Sequence, residues 1–215
     1  MGIIKTKQEI LDGINNGSLS FSSVPQRFLK DRDVVLAGVK KFGSNLNLAK
    51  EFWNDREIVF EAIKTWTQIF YTEEILQDRD FMLKCVKENP YVLFQLRFGR
   101  DSFRYIDQQS YDACHEFNIK SITLKDLISR ANLSNDFVYL GVVGLAEKRM
   151  KRAVYSKLDE MGIDSEDSIP TELELSIQEK LAEVTQTIEN ARQSQQSQQQ
   201  DRIRDLKAAI MDLEV

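Results

Sequence analysis

The stretch Phe52-Trp53-Asn54-Asp55-Arg56-Glu57-Ile58-Val59-Phe60-Glu61-Ala62-Ile63-Lys64 decides the fold, because its pattern occurs three times. Phe28-Leu29-Lys30-Asp31-Arg32-Asp33 begins 24 residues before it, and Ile75-Leu76-Gln77-Asp78-Arg79-Asp80 begins 23 residues after it. Each phrase leads into an apolar run that closes on Val39-Lys40, Ile63-Lys64 or Val86-Lys87. A fixed period with matching chemistry means stacked copies of one supersecondary unit, none of which can bury its apolar face alone.

Aligned on Asp31, Asp55 and Asp78, the copies share a helix start. An aspartate there accepts N–H bonds from the first turn, so each is a candidate N-cap. The acids two residues on, Asp33, Glu57 and Asp80, suit the positive end of the helix dipole. Val35, Val59 and Met82, with Val39, Ile63 and Val86 four residues later, form one helical face. Leu36, Phe60 and Leu83 form a second column, and Gly38, Ala62 and Cys85 keep one recurrent position small. Gly43 reads as a C′ residue and Pro90 as a stop. A short second helix is expected next, carrying Leu46 and Leu48, then Ile69 and Phe70, then Leu93, Phe94 and Leu96. It closes on Phe52-Trp53, Ile75-Leu76 and Phe98. The unit is thus a helical hairpin of about 24 residues.

Arg32, Arg56 and Arg79 directly follow the capping aspartates. A cation at the start of a helix opposes the dipole, so local propensity does not account for it. The expectation is that each arginine reaches a carboxylate or terminal carbonyls of the adjacent unit, with Asp33, Glu57 and Asp80 the obvious acceptors. The six residues Asp31, Asp55, Asp78, Arg32, Arg56 and Arg79 are therefore candidate inter-repeat contacts. The plainer alternative is arginines that face solvent.

The flanks look like worn copies. Glu9 to Asn16 repeats the first-helix pattern with Gly17 as its stop, and Leu19, Phe21 and Val24 lead into Phe28-Leu29. Downstream, Asp101 keeps the phase while the Asp-Arg-acid phrase is lost. Helices from about Gln108 to Phe117 and from about Leu124 to Ala131 continue the rhythm.

The phrase from Phe52 to Lys64 resembles the short helical repeats of domain of unknown function, family 4116, which read roughly as L-K-N-D-R-E-V-V-L-x-A-V-K. The resemblance covers about residues 25–98, and copy three departs from it at Asn89-Pro90, where the family usually has a glycine turn. It implies a helical repeat and carries no activity, cofactor or catalytic residue.

The last third differs. Ser134-Asn135-Asp136 is a cap signal for a helix running to Gly162, with Val138, Val142, Leu145, Met150, Val154, Leu158 and Met161 as a mostly apolar stripe. Lys148, Arg149, Lys151, Arg152 and Lys157 stand beside the stripe, either as a solvated face or as a patch for an anion or an acidic partner. From Asp159 to Asn190 there are then ten acids and one base, Lys180. A loop spans Asp164 to Ile169, and Pro170 opens the next helix at N1. Ile177, Leu181, Val184, Ile188 and Ala191 give an a/d seam. The run Ser194 to Gln200 interrupts it, and Ile203, Leu206, Ile210 and Leu213 resume it one residue out of register. This fits a long helix with a polar middle that assembles in trans, or a hairpin folding back at the glutamines. Assembly or docking onto a partner is the favoured expectation.

Nine glycines, three prolines and 42% hydrophobic residues suit a helical globular chain. A net charge of −5 argues against a dedicated nucleic-acid binder. Cys85 and Cys114 do not make a disulfide framework. The N-terminus lacks the apolar core of a signal peptide, and no stretch approaches a membrane span, so a cytosolic protein or one carried inside a virus particle is expected. No phosphate-binding loop, dinucleotide fingerprint, zincin helix or nucleophile elbow is present. His115, the one histidine, sits beside Cys114 and reads as a satisfied core residue. The three soft ligands Cys85, Cys114 and His115 are too few for a convincing metal site, and no cofactor is expected.

The sequence thus specifies an all-α chain in three parts. Residues 1–132 form a short α-solenoid, 133–162 a long amphipathic helix with the basic patch, and 163–215 an acidic, Gln-rich helical tail. The expected function is a non-enzymatic protein interaction or assembly module, with self-association or a protein partner engaged through residues 170–215. A virion component, a phage protein or a secreted bacterial effector would fit. The alternative is a nucleic-acid-associated protein using the cluster at 148–157.

Overall fold

Helix starts organise the N-terminal part of the chain. The computed structural model describes residues 6–66, 68–69, 71–96, 106–119, 122–162 and 171–213, excluding the side chains of 171 and 210–213. The expectations for Phe70, Phe98, Asp101, the loop 164–169, Pro170 and the side chains of Ile210 and Leu213 lie outside the described residues. Every regular element among the described residues is helical.

Thr6 opens α1 (Lys7–Asn16) with a capping box: its hydroxyl accepts the Glu9 N–H, and the Glu9 carboxylate accepts the Thr6 N–H. Gly17 ends α1 with φ 80°, a left-handed conformation that costs glycine little. Asp31 caps α2 (Arg32–Lys41) and Asp55 caps α3 (Arg56–Thr65), each accepting the N–H groups two and three residues on. Thr72 caps the short α4 (Glu73–Gln77), and Asp78 caps α5 (Arg79–Glu88).

The columns Val35/Val59/Met82 and Val39/Ile63/Val86 are fully buried. So are Val34 and Ile58, one position earlier, where the third copy has the half-buried Phe81. That ring meets Phe60 edge to face at 6.5 Å. Burial of each such aliphatic side chain contributes about 1.5–3 kcal/mol. The expected second column, Leu36/Phe60/Leu83, is only half-buried.

Whereas the second copy ends in the short α4, the described second limb of the first and third copies is not an α-helix. It is a 3-10 helix over Gly43–Leu48, another over Lys50–Phe52, and a third over Pro90–Gln95. Runs of three to six residues are too short to nucleate a stable α-helix on their own. Asparagine side chains also compete for the backbone there: Asn45 donates to Gly38 O at 2.8 Å, and Asn89 accepts from Tyr91 N–H at 3.2 Å.

Gly43 is required for a reason other than a left-handed turn. A Cβ there would lie 2.1 Å from the Ala62 carbonyl oxygen, and its N–H donates to Thr65 Oγ1 at 2.9 Å. Its backbone is pressed against the end of α3.

The chain divides into two compact units, Met1–Phe103 and Arg104–Val215. The break falls inside the array expected over 1–132, because residues 106–132 pack with the C-terminal helices instead of the repeats. In the second unit, Asp107 caps α6 (Gln108–Asn118), Thr123 caps α7 (Leu124–Arg130) and Asn135 caps α8 (Asp136–Glu160). Arg130 pairs with Glu116 at 2.6 and 2.9 Å, tying α7 to α6. The buried Ser110 hydroxyl accepts Asn132 N–H at 2.8 Å and donates to Asp107 at 2.6 Å. Along α8, Val138, Val142, Leu145 and Leu158 are buried, whereas Met161 just beyond it is 71% exposed.

The last helix, α9 (Thr171–Leu213), is continuous through the glutamine run. The chain does not fold back there, which removes the hairpin reading of the tail. Glutamine is a good helix former, and Gln193 donates to Glu189 one turn back at 3.2 Å.

We predict that Gly43→Ala destabilises the protein by about 1–3 kcal/mol, as overpacking against rigid backbone does. Urea unfolding of the parent and variant measures this.

Candidate interaction surfaces

The first helical residue of each unit carries a cation, and those of α1, α2 and α3 meet the cap of the next unit. Lys7, which begins α1, lies 2.8 Å from Asp31 and 2.6 Å from Asp33. Arg32, which begins α2, donates from Nε to Asp55 Oδ2 at 2.7 Å, and from Nη2 to Asp55 Oδ1 at 3.1 Å and Glu57 Oε2 at 2.6 Å. Arg56, which begins α3, donates from Nε to Asp78 Oδ2 at 2.8 Å. Arg79 sits 4.0 Å from Asp80 in its own unit. The principal acceptors are therefore the capping aspartates themselves, with Asp33 and Glu57 as second partners. The part played by Lys7 has no counterpart in the Asp-Arg phrase, because the cap before it is Thr6.

The carboxyls respond to their surroundings. The hydrogen bond from Lys7 holds Asp31 below the ordinary aspartate value, and the bond from Arg56 does the same at Asp78. At Asp55 burial pushes the carboxyl up, but Arg32 and the Ile58 and Glu57 N–H groups outweigh it and the net shift is down.

The opposite helix ends are joined as well. Lys41 Nζ donates to Ile14 O at 2.7 Å, completing α1, and buried Asn89 Nδ2 donates to Ile63 O at 2.7 Å, completing α3. The Asn89-Pro90 departure in the third copy thus supplies a cap to its neighbour.

The five basic residues of α8 do not share one role. Arg149 Nη1 donates to Ile122 O at 2.8 Å and Phe117 O at 3.3 Å, and its guanidinium lies 4.3 Å from the Phe117 ring centroid. It closes the junction after α6. Lys148 is half-buried and Lys151, Arg152 and Lys157 are exposed, and both Lys148 and Arg152 are engaged within the structure.

The tail seam divides too. Ile188 is fully buried, and Ile177, Leu181 and Val184 are half-buried. Around them α9 runs antiparallel to α8: Arg192 pairs with Asp136 at 2.6 Å and lies 4.2 Å from the Tyr139 ring, while Glu189 hydrogen-bonds Tyr139. Gln195 accepts Leu133 N–H at 2.8 Å and donates to Ala131 O at 3.1 Å. Its role had no sequence signal, since seven adjacent polar residues look alike until the partner is known. Beyond it every described side chain from 197 to 209 is exposed, including Ile203 at 46% and Leu206 at 63%.

Cys85 and Cys114 are buried free thiols, each pushed up to about 12 by burial, which leaves little thiolate at neutral pH. His115 is exposed and stacks on Tyr111 at 6.1 Å, so the expectation of a core histidine is corrected: it faces outward on α6 while Cys114 beside it faces the core. Among the described residues no cluster of three or more metal-ligating side chains occurs, and no helix is long and apolar enough to cross a membrane.

Residues 31–72 and 55–108 match the family model described as Domain of unknown function (DUF4116). Over those residues the chain is similar to that family, and the two overlapping matches begin 24 residues apart, as the first two copies of the repeat do. No curated protein and no solved structure matches the chain.

Arg32→Ala is expected to lower the melting temperature more than Arg56→Ala, because Arg32 holds two acids and Arg56 one. Both losses should shrink in about 1 M salt, where the screening length is about 3 Å. Equal melting curves for parent and Arg32→Ala at low salt would remove the ladder as a source of stability.

The capping aspartates also set a pH dependence. Their folded pKa values lie below the unfolded value, so their contribution is present above about pH 4 and lost as pH falls through the folded value. Thermal unfolding should be nearly constant from about pH 7 to 5 and drop below about 4. An Asp31→Asn/Asp55→Asn/Asp78→Asn variant keeps cap acceptors and should show a flatter acid limb.

Proposed function

We propose that the protein is a non-enzymatic assembly module: a short α-solenoid of helical units joined to a helical arm that pairs with a second copy of the chain. The observation that carries this is the distal part of α9. Residues 197–213 continue the helix for about 25 Å at 1.5 Å per residue. Their described side chains are exposed, and Ile203 and Leu206 begin a seam that Ile210 and Leu213 continue at 3–4 spacing.

Self-pairing suits the arm's charges. Asp201, Asp205 and Asp212 balance Arg202, Arg204 and Lys207, so two arms meet without net repulsion. The proximal seam is occupied in cis by α8, which leaves the distal seam for pairing in trans. The alternative, nucleic-acid binding through α8, has less support: Arg149 is committed to carbonyls, and Lys148 and Arg152 are engaged within the structure.

Light scattering on the full chain across about 1–100 µM tests the proposal; micromolar association corresponds to about 8 kcal/mol. The mass should rise above 24.9 kDa with concentration. The Ile203→Asp/Leu206→Asp variant should stay monomeric with an unchanged melting temperature at low concentration. A parent that is monomeric throughout, or a variant that assembles equally well, overturns it.

A further inference from the structure

We infer that the C-terminal edge of α2, α3 and α5 binds an acidic, extended segment of a partner protein. The N-terminal ladder aligns these helices at one end, and the Asn89 bond to Ile63 O joins α5 to α3 at the other. Residues at the same helical position therefore stand in a row. At the ninth position these are Lys40, Lys64 and Lys87, all exposed. The side chains of Lys40 and Lys87 make no hydrogen bond or ion pair with another described residue, whereas Lys64 pairs with Glu61 at 2.7 Å, lies 5.3 Å from the Phe60 ring centroid and feels the charge of Glu88 on α5.

A lysine near a helix C-terminus is favoured by the dipole, which explains one cation per helix. It does not explain the neighbouring aromatics. Phe42 and Trp66 occupy equivalent C-cap positions of α2 and α3, and are 61% and 37% exposed. Phe42 also borders a cavity of about 230 Å³ with Ile14, Leu19, Phe21 and Lys41, which has room for an apolar side chain.

The spacing selects the ligand. Packed helices lie about 8–10 Å apart, and an extended peptide in the polyproline II conformation advances about 3.1 Å per residue with three residues per turn, which puts every third side chain on one face about 9 Å from the last. Carboxylates at every third residue therefore meet successive lysines, and an apolar residue at one end reaches the Phe42 cavity. A nucleic acid fits less well: duplex binders commonly neutralise about 6–10 phosphates, whereas this row has three lysines with Glu61 and Glu88 among them.

The test is fluorescence anisotropy on the full chain. The probe is a fluorescein-labelled proline-rich peptide of about nine residues, with glutamate at every third position and a terminal phenylalanine. A second probe of the same composition has its glutamates contiguous. We expect the periodic probe to bind roughly tenfold more tightly, a difference of about 1.4 kcal/mol. Lys40→Gln/Lys64→Gln/Lys87→Gln and Phe42→Ser/Trp66→Ser should each abolish that preference with melting temperatures unchanged. If either variant melts early, the comparison of the two probes on the parent decides alone. Equal binding of the probes, no saturable binding, retention of the preference in a folded lysine variant, or tighter binding of an oligothymidylate would overturn the inference. The readout uses residues of the first unit, so failure of α9 self-association leaves it intact.

Discussion

The contact on which the repeat segment depends is the one between the first cation of a helix and the capping aspartate of the next. One carboxylate performs two tasks. Asp55 accepts the Glu57 and Ile58 N–H groups that begin its own helix, and it receives Arg32 from the helix before. The start of α3 and its offset along α2 are consequently set by the same two oxygens. Each such ion pair is exposed and individually modest; apolar burial supplies most of the stabilisation. The ladder's contribution is registry, which apolar columns of similar residues specify weakly.

The second unit solves a related problem with different residues. Helices end in unsatisfied carbonyls and begin in unsatisfied N–H groups, and side chains from distant sequence complete them. Arg149 takes Phe117 O and Ile122 O, and Gln195 takes Leu133 N–H and Ala131 O. Residues that look like a solvated basic face or a featureless glutamine run are thereby structural. The same assignment defines the chemistry left over: with Arg149 and the proximal seam engaged, it is the distal arm and the exposed row of lysines and aromatics on the first unit.

Much of this organisation was legible in the sequence. The period, the three aspartate caps, the columns at Val35/Val59/Met82 and Val39/Ile63/Val86, the Gly17 stop and the start of α8 at Asn135 all follow from local rules. Capping and helical periodicity act within about four residues. The presence of an inter-unit partner for Arg32 and Arg56 was also legible, because a cation at that position has no local rationale.

The sequence could not decide the matters set by groups far apart along the chain. Whether the short second limb is α or 3-10, and why Gly43 must be glycine, depends on how closely the end of α3 approaches. The division after Phe103 depends on α6 and α7 packing with α8 instead of continuing the array. The seam of α9 has the same spacing along its buried and exposed halves; only the length of α8 determines where its cis partner ends. Local chemistry determined which helices form and where they begin, and tertiary packing decided which of their faces remain available.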